Sequence, residues 1–199
     1  TGFSNGDADI DAVVNTVFQT QSFDATTLAF DFTVQDPAAT SISFDIVFGS
    51  EEYPEWVDAF VDSAVVIVNG VNYALFNHDP NAPLSVISPN LAAGYFQDNA
   101  DGHLSIEYDG VSQVLKIVAP IHGGAVNSIK IGIADTGDHI LDSGIFISNL
   151  CAGNIPGSGV VHTDGTGTPG DDQMTGSARS EYFGASAGNE RMSFTLRSL

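Results

Sequence analysis

SISFDIVF, from Ser41 to Phe48, places Ile42, Phe44, Ile46 and Phe48 on one face and mainly polar residues on the other. Alternation with a period of two marks a half-buried strand. The pattern recurs along the chain. LAFDFTV (Leu28 to Val34) alternates Leu28, Phe30, Phe32 and Val34. AVVIVNGVNYALF (Ala64 to Phe76) reads as two strands around Asn69-Gly70, a pair that suits the left-handed positions of a type I′ turn. HLSIEYDGVSQVLKIVA (His103 to Ala119) repeats the device with Asp109-Gly110, and SIKIGIA (Ser128 to Ala134) and GIFISNL (Gly144 to Leu150) add two more strands. Only DIDAVVNTVF (Asp9 to Phe18) has helical spacing, with Ile10, Val13, Val14, Val17 and Phe18 on one stripe. The expected fold is all-β: an antiparallel, jelly-roll-like β-sandwich with one short N-terminal helix.

The 199 residues carry 25 Asp plus Glu against 5 Lys plus Arg, a formal charge of −20. Residues 1–150 hold 20 of the acids and only two bases, Lys116 and Lys130. Such self-repulsion opposes compaction unless cations are bound. Asp and Glu are hard oxygen donors, so several Ca2+ ions are the expected cofactors; a solubility surface for high salt is the bland alternative. The charge argues against nucleic acid, which needs a basic footprint, and against anionic membrane surfaces. No run reaches the ~18 apolar residues of a membrane span. Cys151 is the only cysteine, so neither an internal disulfide nor a cysteine metal site is expected. The chain opens within a domain-like sequence and is expected to be a monomeric module of a longer secreted protein.

Three acidic groups stand out. Asp7, Asp9 and Asp11 are spaced by two, as in calcium loops that wrap one ion, although dipole-stabilising acids at a helix start give the same pattern. GSEEYPEWVDAFVD (Gly49 to Asp62) holds Glu51, Glu52, Glu55, Asp58 and Asp62 with no base, beside Tyr53, Trp56 and Phe60. The third loop carries Asp135, Asp138 and Asp142, and sandwich loops at one end converge, so the second and third groups are expected to share ions. No zinc spacing, nucleophile elbow or assignable acid–base pair is present, so no enzyme is expected. After Cys151 the composition turns to Gly, Ser, Thr and Asp. Residues 1–152 are read as the sandwich. Residues 153–199 are read as a linker and a partial glycine–aspartate calcium repeat, poorly ordered without neighbours.

Four separated motifs, GDADID, FDATTLAFDF, FGSEEYPEW and IGIADTGDHILDSGIF, occur in an order that resembles the bacterial choice-of-anchor L surface domain over roughly residues 1–150. With a repeat-like tail behind it, the chain resembles the peptide-binding module of large calcium-dependent RTX adhesins. That resemblance implies an extracellular, cell-surface role in adhesion and biofilm formation. It implies Ca2+ held by Asp7, Asp9, Asp11, Glu51, Glu52, Asp62, Asp135, Asp138 and Asp142. The free C-terminus of a protein on a host or neighbouring cell would then be gripped through calcium, with Tyr53, Glu55, Trp56, Asp58 and His139 contacting the ligand. An acid at Asp62 fits the family pattern, whereas Asp58 is particular to this chain. A calcium-dependent lectin and a calcium-stiffened spacer are the alternatives.

Overall fold

A computed structural model describes residues 5–136, 141–155, 157–166, 173–175, 181–184 and 191–193. In chain order the elements are α1 (Ala8–Phe18), β1 (Ser22–Thr33), β2 (Ser41–Ser50), β3 (Ser63–Val68), β4 (Val71–Asn72), β5 (Leu84–Ser85) and α2 (Ser88–Ala92). They continue as β6 (Phe96–Asp98), β7 (Gly110–Ser112), β8 (Leu115–Pro120), β9 (Val126–Thr136) and β10 (Ser143–Gly153). The last are β11 (Gly159–Thr166), β12 (Gln173–Thr175), β13 (Glu181–Gly184) and β14 (Arg191–Ser193).

Two sheets face each other. One runs β1-β9-β3-β4, with β5 also on β3; the other runs β13-β11-β8-β2-β7-β6, with β10 along the second side of β2. The pairs of residues 5–155 are antiparallel, as expected of a sandwich. The alternating face of β2 enters the interior: Ile42, Phe44, Ile46 and Phe48 pack with Ala64, Val66 and Val68 of β3 and Ile129, Ile131 and Ile133 of β9. Phe76 and Tyr95 stack at 3.9 Å between ring centroids. Each fully buried large side chain contributes roughly 1.5–3 kcal/mol.

The helix packs on the outer face of the first sheet, where Ile10 and Val14 meet Val65 and Ala134 in a second, smaller core. Asp7 caps it, accepting from the backbone N–H of Asp9 (3.0 Å) and Ile10 (3.4 Å). Gln19 closes it in the left-handed region.

Asn69 and Gly70 both have positive φ, as the β3–β4 turn requires. The hairpin expected at Asp109-Gly110 is not formed. The Asn99 side chain organises the segment before it, accepting from Leu104 N (2.7 Å) and donating to the carbonyl of Tyr108 (2.9 Å), while Asn99 N bonds the Asp109 carbonyl. Gly110 instead opens β7 opposite Ser50, beneath the Tyr53 side chain.

Beyond residue 152 the second sheet continues: β11 pairs antiparallel with β8, and Val160 enters the main core. The tail strands pair parallel. Gln173 meets Arg191, Met174 meets Met192 and Thr175 meets Ser193, each partner eighteen residues on. Much of the glycine–aspartate stretch read as a calcium repeat lies outside the described residues.

Candidate functional site

The carboxylates gather where β2 ends, β3 begins, and β9 and β10 are joined. β2 stops at Ser50, and residues 51–60 form a chain of turns in which Trp56 N bonds the Glu52 carbonyl (2.9 Å) and Phe60 N bonds the Trp56 carbonyl (3.1 Å). The bend sends the adjacent acids in different directions. Glu52 turns inward and is 1% exposed. Glu51 reaches the β9–β10 connection, where its side chain accepts from Asp142 N (3.2 Å) and its own N–H donates to the Asp142 carbonyl (3.2 Å).

Asp62 closes the segment and is also 1% exposed. Its Oδ2 accepts from Ser50 Oγ (3.2 Å) and from Ser143 Oγ. Ser50 Oγ in turn accepts from Glu52 N (3.1 Å), so one hydroxyl links the Asp62 carboxylate to the backbone of Glu52. Asp135, 8% exposed, lines a polar cleft of about 110 Å³ with Asp24, Thr26, Asp142 and Ser143. Asp24 is carried there by an irregularity in β1 between Phe23 and Thr26, and has positive φ.

The site thus joins Glu51, Glu52, Asp62, Asp135 and Asp142 from the second and third sequence groups. It adds Asp24, Ser50 and Ser143, which sequence reasoning did not select. Asp138 and His139 lie outside the described residues. Among the described residues no three His, Cys, Asp or Glu side chains form a ready-made metal-holding group.

Two tyrosines pack over strand glycines nearby. Gly49 and Gly144 are cross-strand partners on β2 and β10, and the Tyr108 ring lies over both. Burial, with the nearby carboxylates of Asp142, Glu51 and Glu107, pushes the Tyr108 hydroxyl above its usual range. Tyr53 is partly buried against the main core, and burial together with Asp98 raises its hydroxyl as well. Glycines inside strands are the signal that marks such close approaches.

Trp56 lies on the surface, 46% exposed, edge to face with Phe60 at 5.5 Å. Glu55 is exposed beside it. Asp58, at positive φ, is engaged across the loops: it accepts from Ser88 N (2.8 Å) and Ser88 Oγ (2.5 Å), tying the start of α2 to this segment.

Asp7, Asp9 and Asp11 are held differently. Lys130 Nζ bonds both oxygens of Asp7 (2.8 and 2.7 Å) and Oδ2 of Asp9 (2.6 Å). Asp11 accepts from Ser22 N and Ser22 Oγ, each at 2.7 Å. Burial alone would raise the Asp7 carboxyl, but Lys130 and the two backbone N–H groups hold it below the ordinary range. The two aspartates raise Lys130. A carboxyl lowered on folding stabilises above its unfolded pKa and loses that contribution as the pH falls through the folded value. Asp7→Ala, which removes the cap, should therefore cost about 1–2 kcal/mol in urea melts at neutral pH, with a deficit that shrinks in acid. A deficit that does not shrink at all on acidification would contradict the ionic cap.

Lys116 pairs with Asp45 at 2.6 Å on the β8–β2 ladder, and Asn149 donates to the same carboxylate (2.6 Å). Both lysines of residues 5–155 are thus committed to ion pairs away from the acidic end.

No curated protein and no solved structure matches the chain. A model of the Choice-of-anchor L domain matches residues 1–151. That description denotes a bacterial surface-associated module, and its span takes in α1 through most of β10, with the carboxylates of the site. The chain belongs to the Choice-of-anchor L domain family.

Proposed function

We propose that this is a calcium-dependent ligand-binding module of a secreted bacterial adhesin, and that it grips the free C-terminal carboxylate of a peptide through bound calcium. The observation that carries the reading is the burial of Glu52 and Asp62, each 1% exposed, at the end where Asp135, Asp142, Glu51 and Asp24 also collect. Carboxylates gathered this closely repel one another, and a cation among them offsets that repulsion. The donors are all hard oxygens, including two serine hydroxyls, and that set suits Ca2+ rather than a softer metal. Glu52, Asp62 and Asp135 would hold the ion, with Glu51, Asp142 and Asp24 nearer solvent. Calcium with open positions accepts a carboxylate that the bare surface would repel. Trp56 and Tyr53 would meet the preceding side chains. The eighteen-residue parallel offset of the tail strands equals two nine-residue units, which supports a calcium-repeat continuation.

The test is titration calorimetry with a peptide selected from a C-terminal library, as acid and as amide. The amide should bind roughly ten- to hundred-fold more weakly, because a charge-assisted contact on calcium is lost. Chelator should abolish binding of both. Equal affinities in calcium buffer would refute the carboxylate grip, and binding confined to a glycan array would assign the site to sugars.

A further inference from the structure

Among the described residues β1 pairs only with β9, and β10 only with β2, so each presents an open edge. On β1, Leu28 and Phe30 lie opposite Ile131 and Ile129, and so share the inner face of their sheet with core residues. On β10, Ile147 lies opposite Ile46 on the inner face of the other. These inward-facing positions are nonetheless open: Leu28 is 56% exposed, Phe30 39% and Ile147 40%, and Leu150, at the register irregularity of β10, is 55% exposed. Between the edges runs an apolar groove of about 180 Å³, lined by Phe30, Phe32, Ile42, Ile129, Leu150 and Cys151. At one end of β1 and β10 the acidic cleft opens, with Asp24 and Thr26 from one strand and Ser143 from the other.

We propose that the seam between β1 and β10 is the docking groove for one extended segment of a partner protein, apolar at alternate positions and carrying Lys or Arg at its ends. The proposal rests on the peptide-binding reading for the class of partner, and on the seam alone for its placement. An open strand edge offers a row of main-chain donors and acceptors that only another extended chain satisfies, and the alternate pockets of a pleated surface take alternate side chains. At 12 and 11 residues, β1 and β10 are long enough to pair with a full added strand. The charge selects the partner. β1 carries Asp24 and Asp31, and neither strand carries a base. Asp142 stands just before β10. A second copy would bring the same aspartates and a net charge of −20 to the seam, whereas a basic-ended segment is attracted to it.

Cys151 makes the seam readable, being the only cysteine, exposed, and part of the lining. The probe is a nonapeptide of alternating valine and threonine with a lysine at each end, in calcium buffer. The control is an isomer with the valines blocked together. Near-millimolar alternating peptide should slow iodoacetamide alkylation of Cys151 by about tenfold or more, and should slow amide exchange over both β1 and β10. Phe30→Asp should remove both effects; if that variant melts early, Leu28→Asp at the more exposed position serves. No slowing by the alternating peptide, or equal slowing by the blocked isomer, would overturn the proposal. So would protection that grows with protein concentration in the absence of peptide, which would assign the seam to a second copy. The peptide is used both as acid and as amide: equal protection by the two leaves the seam standing while the carboxylate grip fails.

Discussion

Chelation in low-salt buffer should lower the melting temperature by roughly 8–16 °C. A ligand present at ~1,000 times its dissociation constant stabilises the native state by about 4 kcal/mol, and each kcal/mol shifts a domain of this size by about 2–4 °C. The effect is expected to be large because the native state holds Glu52, Asp62 and Asp135 in the interior, while the unfolded chain gives each its own hydration. Asp62→Asn should reduce the calcium-dependent part of the shift, since it removes one charge from the site and leaves a side chain of the same shape. Lys130→Met should leave that part intact, because Lys130 serves Asp7 and Asp9 at the helix start. A melting curve indifferent to chelator would remove calcium from the structural account.

The second large effect is expected at the glycine pair beneath Tyr108. Gly49 and Gly144 face one another across β2 and β10, and a methyl group at either would overlap the ring. Gly49→Val or Gly144→Val should cost about 1–3 kcal/mol in urea denaturation, the range for overfilling a packed site. Tyr108→Ala should recover most of that loss in the double variant, with a coupling of about 1–3 kcal/mol, because the ring is what the added methyls strike. Additive losses would mean that the strands reject the side chains for their own reasons and that the ring is incidental.

The strands were legible because their apolar residues keep a period of two. On β2, where both neighbours are present, the apolar face is buried as the pattern requires, and Ser41 and Ser43 on the other face are buried with it. On β1 the apolar face is open, because Leu28 and Phe30 face inward on a strand that, among the described residues, pairs on one side only. Periodicity reports which face a residue takes and is silent on whether anything covers that face. Asn69-Gly70 and Asp109-Gly110 look alike in sequence, yet only the first makes a hairpin, since the second is claimed by Asn99 from ten residues upstream.

At the site, the convergence of Glu51, Glu52 and Asp62 with Asp135 and Asp142 follows from loops sharing one end of a sandwich. Asp24 was invisible because a local irregularity in β1, rather than a loop, brings it there. The partners of Asp7 and Asp9 were equally hidden. Lys130 is more than 120 positions away, and nothing local distinguishes an aspartate held by a lysine from one awaiting a metal.

The placement of the two lysines has a use of its own. Trypsin cuts after lysine and arginine, and within residues 5–155 it can read only Lys116 and Lys130. Both sit inside strands, Lys116 paired to β2 and β11 and Lys130 to β1 and β3, with their ammonium groups bonded to aspartates. A protease needs several residues of free, extended backbone, so the folded sandwich offers it no susceptible bond. Cleavage at these two positions therefore counts events that open β8 or β9, one in each sheet, and the molecule carries a built-in gauge of the opening of both layers.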